Sequence, residues 1–310
     1  MPVENSRKAV LVTGASRGLG TATALQLAAA GFQVWAGVRS DQAAARLTAL
    51  AGQRSLPLET INLDVTDKTS VNNALGTIED RAGRLFGLVN NAGVAERAFF
   101  EDYPDQKIRQ LFEVNLFGVM SVTRRALPLL RANGGGRIVM ISSIGGRIGL
   151  QSLSPYSASK FALEGFSESL SIEVRPFEIA VSIIEPGIVK TEIWDEERRV
   201  LPEARNLNSP SYKYFWSLEE QVEEFLNMSS LTPADVAAKI VQVMQSKRPK
   251  LRYVVGRRAG LTLSLRKYLP GELFERVYFG EIVRRMKKGR LGNTTSSAME
   301  GGATRSPFSD

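Results

Sequence analysis

Cysteine and histidine are both absent from this chain of 310 residues. The first absence excludes disulfides and thiol nucleophiles, and the second removes the base of a Ser-His-Asp triad. Together they exclude zinc clusters built from the usual ligands, so no metal is expected. Proton transfer, if the protein performs any, falls to Tyr, Lys, Asp or Glu. Long hydrophobic runs are missing too: no stretch approaches the roughly 18 apolar residues of a membrane-spanning helix. Residues 1–30 lack the uninterrupted apolar core of a signal peptide. The expected location is therefore cytoplasmic, with at most peripheral contact at a membrane surface.

What is present is 43% hydrophobic, enough to bury the core of one large α/β domain with an appendage. The formal charge of +8 is unevenly placed. Residues 246–290 hold 14 Lys and Arg against 3 Asp and Glu, a local +11, whereas the residues before them are nearly balanced at 25 against 27. A neutral body speaks against a nucleic-acid groove there, and a basic appendage speaks for local contact with anions, whether phospholipid or an acidic partner.

Apolar, β-branched runs alternate with amphipathic stretches along most of the chain. Strands are expected at 9–13, 32–38, 58–63, 85–89, 137–142 and 179–184. Helices are expected between them, including a single long one around 104–132 and another over 154–175. Strands joined by crossover helices make a doubly wound parallel sheet that binds ligands at the carboxyl ends of its strands. The rhythm breaks over 187–232, where Trp194, Tyr212, Tyr214, Phe215 and Trp216 mark either a substrate-covering insert or aromatics closing the core edge. It resumes with a capped helix at Thr232-Pro233-Ala234-Asp235 and a strand at 252–255.

Gly14, Gly18 and Gly20 lie between the first strand and its helix. Such a turn lets backbone approach a pyrophosphate closely and aims free helix N–H groups at it. Ser16, Arg17 and Leu19 fall inside the turn. Where the second strand ends, an acidic residue would bind a free ribose hydroxyl, but Val38 and Arg39 stand there instead. Arg39 and Arg17 together favour the 2′-phosphate of NADP(H) over NAD(H). Farther on, Tyr156 and Lys160 are spaced to share a helix face, where an ammonium can depress a phenol's pKa and make it a general acid or base. The pair alone is a weak signal; its place downstream of Ser142-Ser143 and of the glycine turn carries the weight.

In that order of motifs, over roughly residues 8–255, the chain resembles the short-chain dehydrogenase/reductase family in its single-domain branch. The resemblance rests on the glycine turn, Asp64-Val65, Asn90-Asn91-Ala92-Gly93, Asn115, Ser143, Tyr156, Lys160 and Pro186-Gly187-Ile188-Val189-Lys190-Thr191. It implies a Rossmann-type fold, with Tyr156 as acid/base, Lys160 on the nicotinamide ribose and Ser143 on the substrate oxygen. Asn115 would hold a water linking Lys160 to solvent. Asp64, with Val65 beside it, would meet the adenine end, Asn90 the adjoining ribose, and Val189 with Thr191 the nicotinamide amide. Read from chemistry alone, Ser142 could replace Ser143, Asn115 could be only a polar bridge within a helix, and Asn90 could tie neighbouring strands. Homodimers or homotetramers follow from the resemblance only.

Residues 271–290 repeat Leu273, Phe274, Val277, Tyr278, Ile282, Val283 and Met286 at helical spacing and end in a basic cluster. This amphipathic helix would pack on the body, dock on a membrane surface or meet an acidic protein. The expected organisation is a catalytic domain over 1–256, a basic extension over 257–290 and a disordered tail over 291–310. The expected function is NADP(H)-dependent interconversion of a ketone or aldehyde and an alcohol, on a small hydrophobic substrate and without nucleic acid. A cofactor-binding regulator without turnover and a sugar-nucleotide epimerase or dehydratase are the alternatives.

Overall fold

A computed structural model of the protein describes residues 7–190 and 199–288. Thr191 and Trp194, and the tail from 291 onward, lie outside the described residues. The sheet contains β1 (Ala9–Val12), β2 (Gln33–Val38), β3 (Leu58–Asn62), β4 (Gly87–Asn90), β5 (Gly136–Ile141), β6 (Ile179–Pro186) and β7 (Arg252–Val255). All pairings are parallel, and the spatial order is β3-β2-β1-β4-β5-β6-β7. The order reverses between β1 and β4, so the connections leaving these two strands diverge and open a crevice at their carboxyl ends.

Alternation along β1 shows how both faces become core. Val10 and Val12 face α1 (Gly18–Ala29) and α2 (Asp41–Gly52), in a cluster with Leu27, Val34 and Leu47. Ala9 and Leu11 face the other way, toward α3 (Lys68–Ala82), α5 (Gly118–Ala132) and α6 (Ser154–Glu173), with Leu75, Ile78, Leu129 and Leu163. Near-continuous apolar strands are what a sheet buried on both faces demands. On the first face, α8 (Pro233–Gln245) adds Val236, Ile240 and Val243. It starts at the expected cap: Asp235 N donates to Thr232 Oγ1, and the Asp235 carboxylate accepts from Thr232 N at 2.8 Å.

The long helix expected over 104–132 is divided. α4 (Asp105–Phe112) passes into α5 through a π-helical turn at Glu113–Phe117 that carries Asn115. Periodicity does not reveal such a turn, because it slips the apolar stripe by one residue and α4 is only two turns long, too short to fix the phase before the slip. Among the described residues of 187–232, Tyr212, Tyr214, Phe215 and Trp216 sit on α7 (Tyr212–Asn227), with Phe215 fully buried against Ala98, Tyr103, Val200, Leu201 and Ala204. Phe215 also meets Phe99 edge to face. A buried ion pair between Arg97 and Glu219 joins α7 to the loop after β4, and the backbone of Arg97 pairs with Arg199 and Leu201. The insert therefore closes a third small core beside the crevice. After β7 come α9 (Arg257–Tyr268), which the sequence reading did not anticipate, and α10 (Gly271–Lys288).

The glycine turn tests the packing argument directly. A Cβ at Gly20 would run into the Gly14 carbonyl oxygen and lie 2.6 Å from Asn91 Nδ2, whereas one at Gly76 in α3 would meet nothing within 4 Å. Gly20→Ala is expected to lower the unfolding free energy by about 1–3 kcal/mol. Gly76→Ala should raise it by about 0.5–1 kcal/mol. Urea denaturation of the three proteins checks both signs.

Candidate active site

Strand ends and one helix assemble the site. Ser143 follows β5 and caps a short turn, its Oγ accepting from Gly145 N at 3.0 Å. One helix turn into α6, Tyr156 reaches the Ser143 hydroxyl with its own. Lys160, one further turn along, is 5% exposed; its ammonium donates to the carbonyl of Ile141 at 2.8 Å and lies 5.8 Å from the Tyr156 ring centroid. Ser142 faces away, buried beside Glu164, so Ser143 is the serine that meets Tyr156.

Electrostatics depart from one expectation. Burial pushes the Tyr156 phenol above its ordinary value, and the hydrogen bond with Ser143 is what pulls it back. Lys160 was expected to do that. Its own ammonium is pulled down to about 8 by burial, with the negative charge of Glu164 opposing the fall. Glu164 lies one turn beyond Lys160 and is 5% exposed. Burial raises its carboxyl while Ser142 and Arg252 oppose the rise. Arg252 Nε stands 3.1 Å from Glu164 and 3.4 Å from the fully buried Glu185, which Arg147 meets at 2.8 Å.

Asn115 is held by other groups than the one expected. Its Oδ1 accepts from Val94 N at 2.8 Å, and its Nδ2 donates to Val94 O at 2.9 Å and to Ser159 Oγ at 3.1 Å. The amide is thus a bridge from the loop after β4 to α6, and both of its atoms are engaged. The Asn90 amide turns into the core, donating to Thr123 Oγ1 and lying 3.3 Å from Met140 Sδ. Its successor Asn91 reaches the crevice instead, donating to the carbonyls of Thr13 and Gly14 at 2.9 and 3.0 Å.

Gly14, Ser16, Arg17, Gly18, Leu19, Gly20, Arg39, Asp64, Val65 and Asn91 line one cleft. Gly14 takes a φ of +64°. α1 opens with extended Arg17, no side-chain cap and no acid in its first turn. The first N–H groups therefore face the cleft together with a guanidinium, a donor set suited to a phosphate chain. The cradle fits a dinucleotide by this criterion, because the Cβ clash at Gly20 shows how closely the chain is folded there. Burial raises the Asp64 carboxyl, but hydrogen bonds from Thr66 and the charge of Arg39, 3.9 Å away, hold it below its usual value. Arg46, which no motif flagged, donates to the Ser16 carbonyl and lines a groove with Arg17. Val189 follows β6 and packs on the sheet's first core cluster.

The family model for short chain dehydrogenase matches residues 8–201. The chain belongs to the short-chain dehydrogenase family. It is 38% identical over 275 residues to the uncharacterized oxidoreductase YusZ of Bacillus subtilis, covering 88% of this chain and 97% of that one. A short-chain dehydrogenase from Streptomyces avermitilis superposes with a TM-score of 0.71 at 33% identity, over 91% of this chain and 98% of that one. A variant of actinorhodin polyketide ketoreductase, solved with NADPH, also gives 0.71, at 25% identity over 82% of this chain and 97% of its own. Members of this family bind nicotinamide cofactors and act on small molecules, and the doubly wound parallel sheet is theirs.

Within this short-chain dehydrogenase, Asn91, Arg46 and Glu164 are the residues that sequence reasoning missed. Asn91 stood inside a quoted motif; Glu164 could have been found from its four-residue spacing to Lys160. Removing the Glu164 charge withdraws support from the ammonium. Glu164→Gln should therefore move the Lys160 midpoint below about 8, narrowing the pH range in which the lysine is charged from its alkaline side. NMR titration of labelled lysine in both proteins measures the shift.

Proposed function

We propose that the protein is an NADP(H)-dependent oxidoreductase interconverting a ketone or aldehyde with an alcohol on a hydrophobic substrate. The observation that carries this reading is the gathering of Ser143 and the Tyr156 ring beside Gly145, with the Lys160 ammonium buried against the Ile141 carbonyl. In the reducing direction, Ser143 would donate a hydrogen bond to the substrate oxygen and Tyr156 would deliver its proton to that oxygen. Lys160 would stabilise the phenolate left behind, while Asn115 and Ser159 keep α6 in register with the loop after β4. When bound, the nicotinamide supplies or accepts the hydride. The glycine turn and the start of α1 would hold the pyrophosphate, Arg17 and Arg39 the 2′-phosphate, Asp64 and Val65 the adenine end, and Val189 the nicotinamide amide.

A groove of about 500 Å³ beside the start of α6 supports a hydrophobic substrate, since Phe99, Phe100, Leu150 and Met286 are among its walls. The catalytic unit would span 1–256, although Met286 brings the extension to this groove. Outward apolar residues at Phe117, Phe161 and Ile172 support a homo-oligomer. The solved ketoreductase with NADPH supports the same reaction class and cofactor. An intact Ser143, Tyr156 and Lys160 set weighs against a regulator without turnover.

Tyr156→Phe removes only the proton-bearing oxygen. It should keep NADPH binding within about twofold while kcat falls by ~10²–10⁴; fluorescence titration and steady-state rates measure the two. A variant retaining more than about a tenth of the wild-type kcat contradicts the acid/base role.

Cofactor choice is a separate matter. Arg39→Asp replaces a cation by a carboxylate that repels a 2′-phosphate and accepts from a ribose hydroxyl. The ratio of kcat/KM for NADPH to that for NADH should exceed one in the wild type and fall by at least tenfold in the variant. A wild-type preference for NADH overturns the assignment.

A further inference from the structure

The apolar stripe that the sequence places on residues 271–290 is divided: Phe274 is buried and Tyr278, Ile282 and Met286 are half-buried, whereas Leu273, Val277 and Val283 are exposed. Phe274 is 3% exposed and stacks on Tyr278 at 5.2 Å, and Ser217 Oγ of α7 donates to the Met286 carbonyl. A more fully exposed stripe lies on α9. Leu261, Leu265 and Tyr268 are 63, 45 and 76% exposed, and their spacing of four and three residues puts them on one helix face. Ala259, on another face, is buried and packs toward Gly187 just past β6. A helix that lies on its own protein turns its apolar stripe inward, so α9 has the opposite orientation. Arg257 and Arg258 adjoin this face and Arg266 and Lys267 lie farther round the helix; all four are exposed, and α9 contains no acidic residue. Leu273 and Val277 are exposed on the helix that follows.

We propose that α9 is a docking surface for an anionic lipid bilayer. An exposed leucine alone is ordinary, but three large apolar side chains at helical spacing, on a helix whose only charges are four exposed cations, suit contact with an anionic interface. The apolar side chains enter the acyl boundary while Arg and Lys stay at the anionic headgroups, each cation adding about fivefold to the partition coefficient. A second copy of the chain is a poor occupant, because a two-fold contact through this face would set like charges against each other. Nucleic acid would use the cations and leave Leu261 and Leu265 in water. Among the described residues no helix is long and apolar enough to cross a membrane. The contact is therefore peripheral. It stands independently of the proposed activity, since its readout is binding.

The absence of cysteine makes a direct test simple. Full-length Leu261→Cys and Asn72→Cys proteins carry one environment-sensitive fluorophore each, Asn72 being an exposed control on α3. Mixed phosphatidylglycerol–phosphatidylcholine vesicles should blue-shift emission from position 261 and not from 72; pure phosphatidylcholine should do neither, and about 0.5 M salt should reverse the shift. Co-sedimentation of the unlabelled wild type and of Arg257→Gln/Lys267→Gln should show about a 25-fold loss of partition for the double variant. Wild-type protein that does not pellet with anionic vesicles overturns the proposal. So does an equal shift at both positions. A shift at 261 that grows with protein concentration without lipid makes a second copy the occupant, and one produced by an oligonucleotide but not by vesicles makes nucleic acid the occupant.

Discussion

A charged ammonium taken out of water must be compensated, and much of the site's arrangement follows from how Lys160 is compensated. It is 5% exposed, bound to the carbonyl of Ile141 and faced by the charge of Glu164. The hydrogen bond pins α6 to the carboxyl end of β5, where Ser143 stands, and so sets the distance from Ser143 to Tyr156. Burial still draws the lysine down to about 8, which leaves the ammonium in place at neutral pH but sensitive to any change nearby.

Glu164 in turn is not self-sufficient. Arg252 on β7 spans it, Glu168 and Glu185, and Arg147 reaches Glu185 from the loop after Ser143. Buried charge networks of this kind add little net stability over an apolar replacement, though breaking one partner is costly. Their value here is positional: β6, β7, α6 and the loop bearing Ser143 are held by one set of charges. The C-terminal strand therefore communicates with Lys160 through two side chains, although 92 residues separate Arg252 from Lys160 in the chain.

On the other side of the crevice, backbone and neutral side chains dominate. Thr13 Oγ1 accepts from the backbone N–H groups of Asn91 and Ala92, and Asn91 returns bonds to Thr13 and Gly14. These reciprocal bonds join the ends of β1 and β4, whose divergence creates the binding crevice. Above it, the third core around Phe215 and the Arg97–Glu219 pair fix the insert to the loop after β4. The groove that meets the start of α6 thus draws its walls from segments distant in sequence, among them Phe99, Leu150, Leu218 and Met286.

Sequence by itself determined the alternation of strand and helix, the glycine turn, the cationic residues at its rim and the Ser143, Tyr156, Lys160 order. Each of these is a local pattern: short continuous apolar strands, a turn that needs glycine, side chains one helix turn apart. Tertiary structure alone decided which member of a local pair faces inward. Asn90 and Asn91, and Ser142 and Ser143, are chemically equivalent neighbours at strand ends, and only packing against Thr123, Met140 and Glu164 assigns one of each pair to the core. The π-helical turn at Asn115 and the orientation of α9 and α10 were hidden for a related reason. A hydrophobic stripe states that a helix has an apolar face, whereas what covers that face depends on where the rest of the chain has already packed.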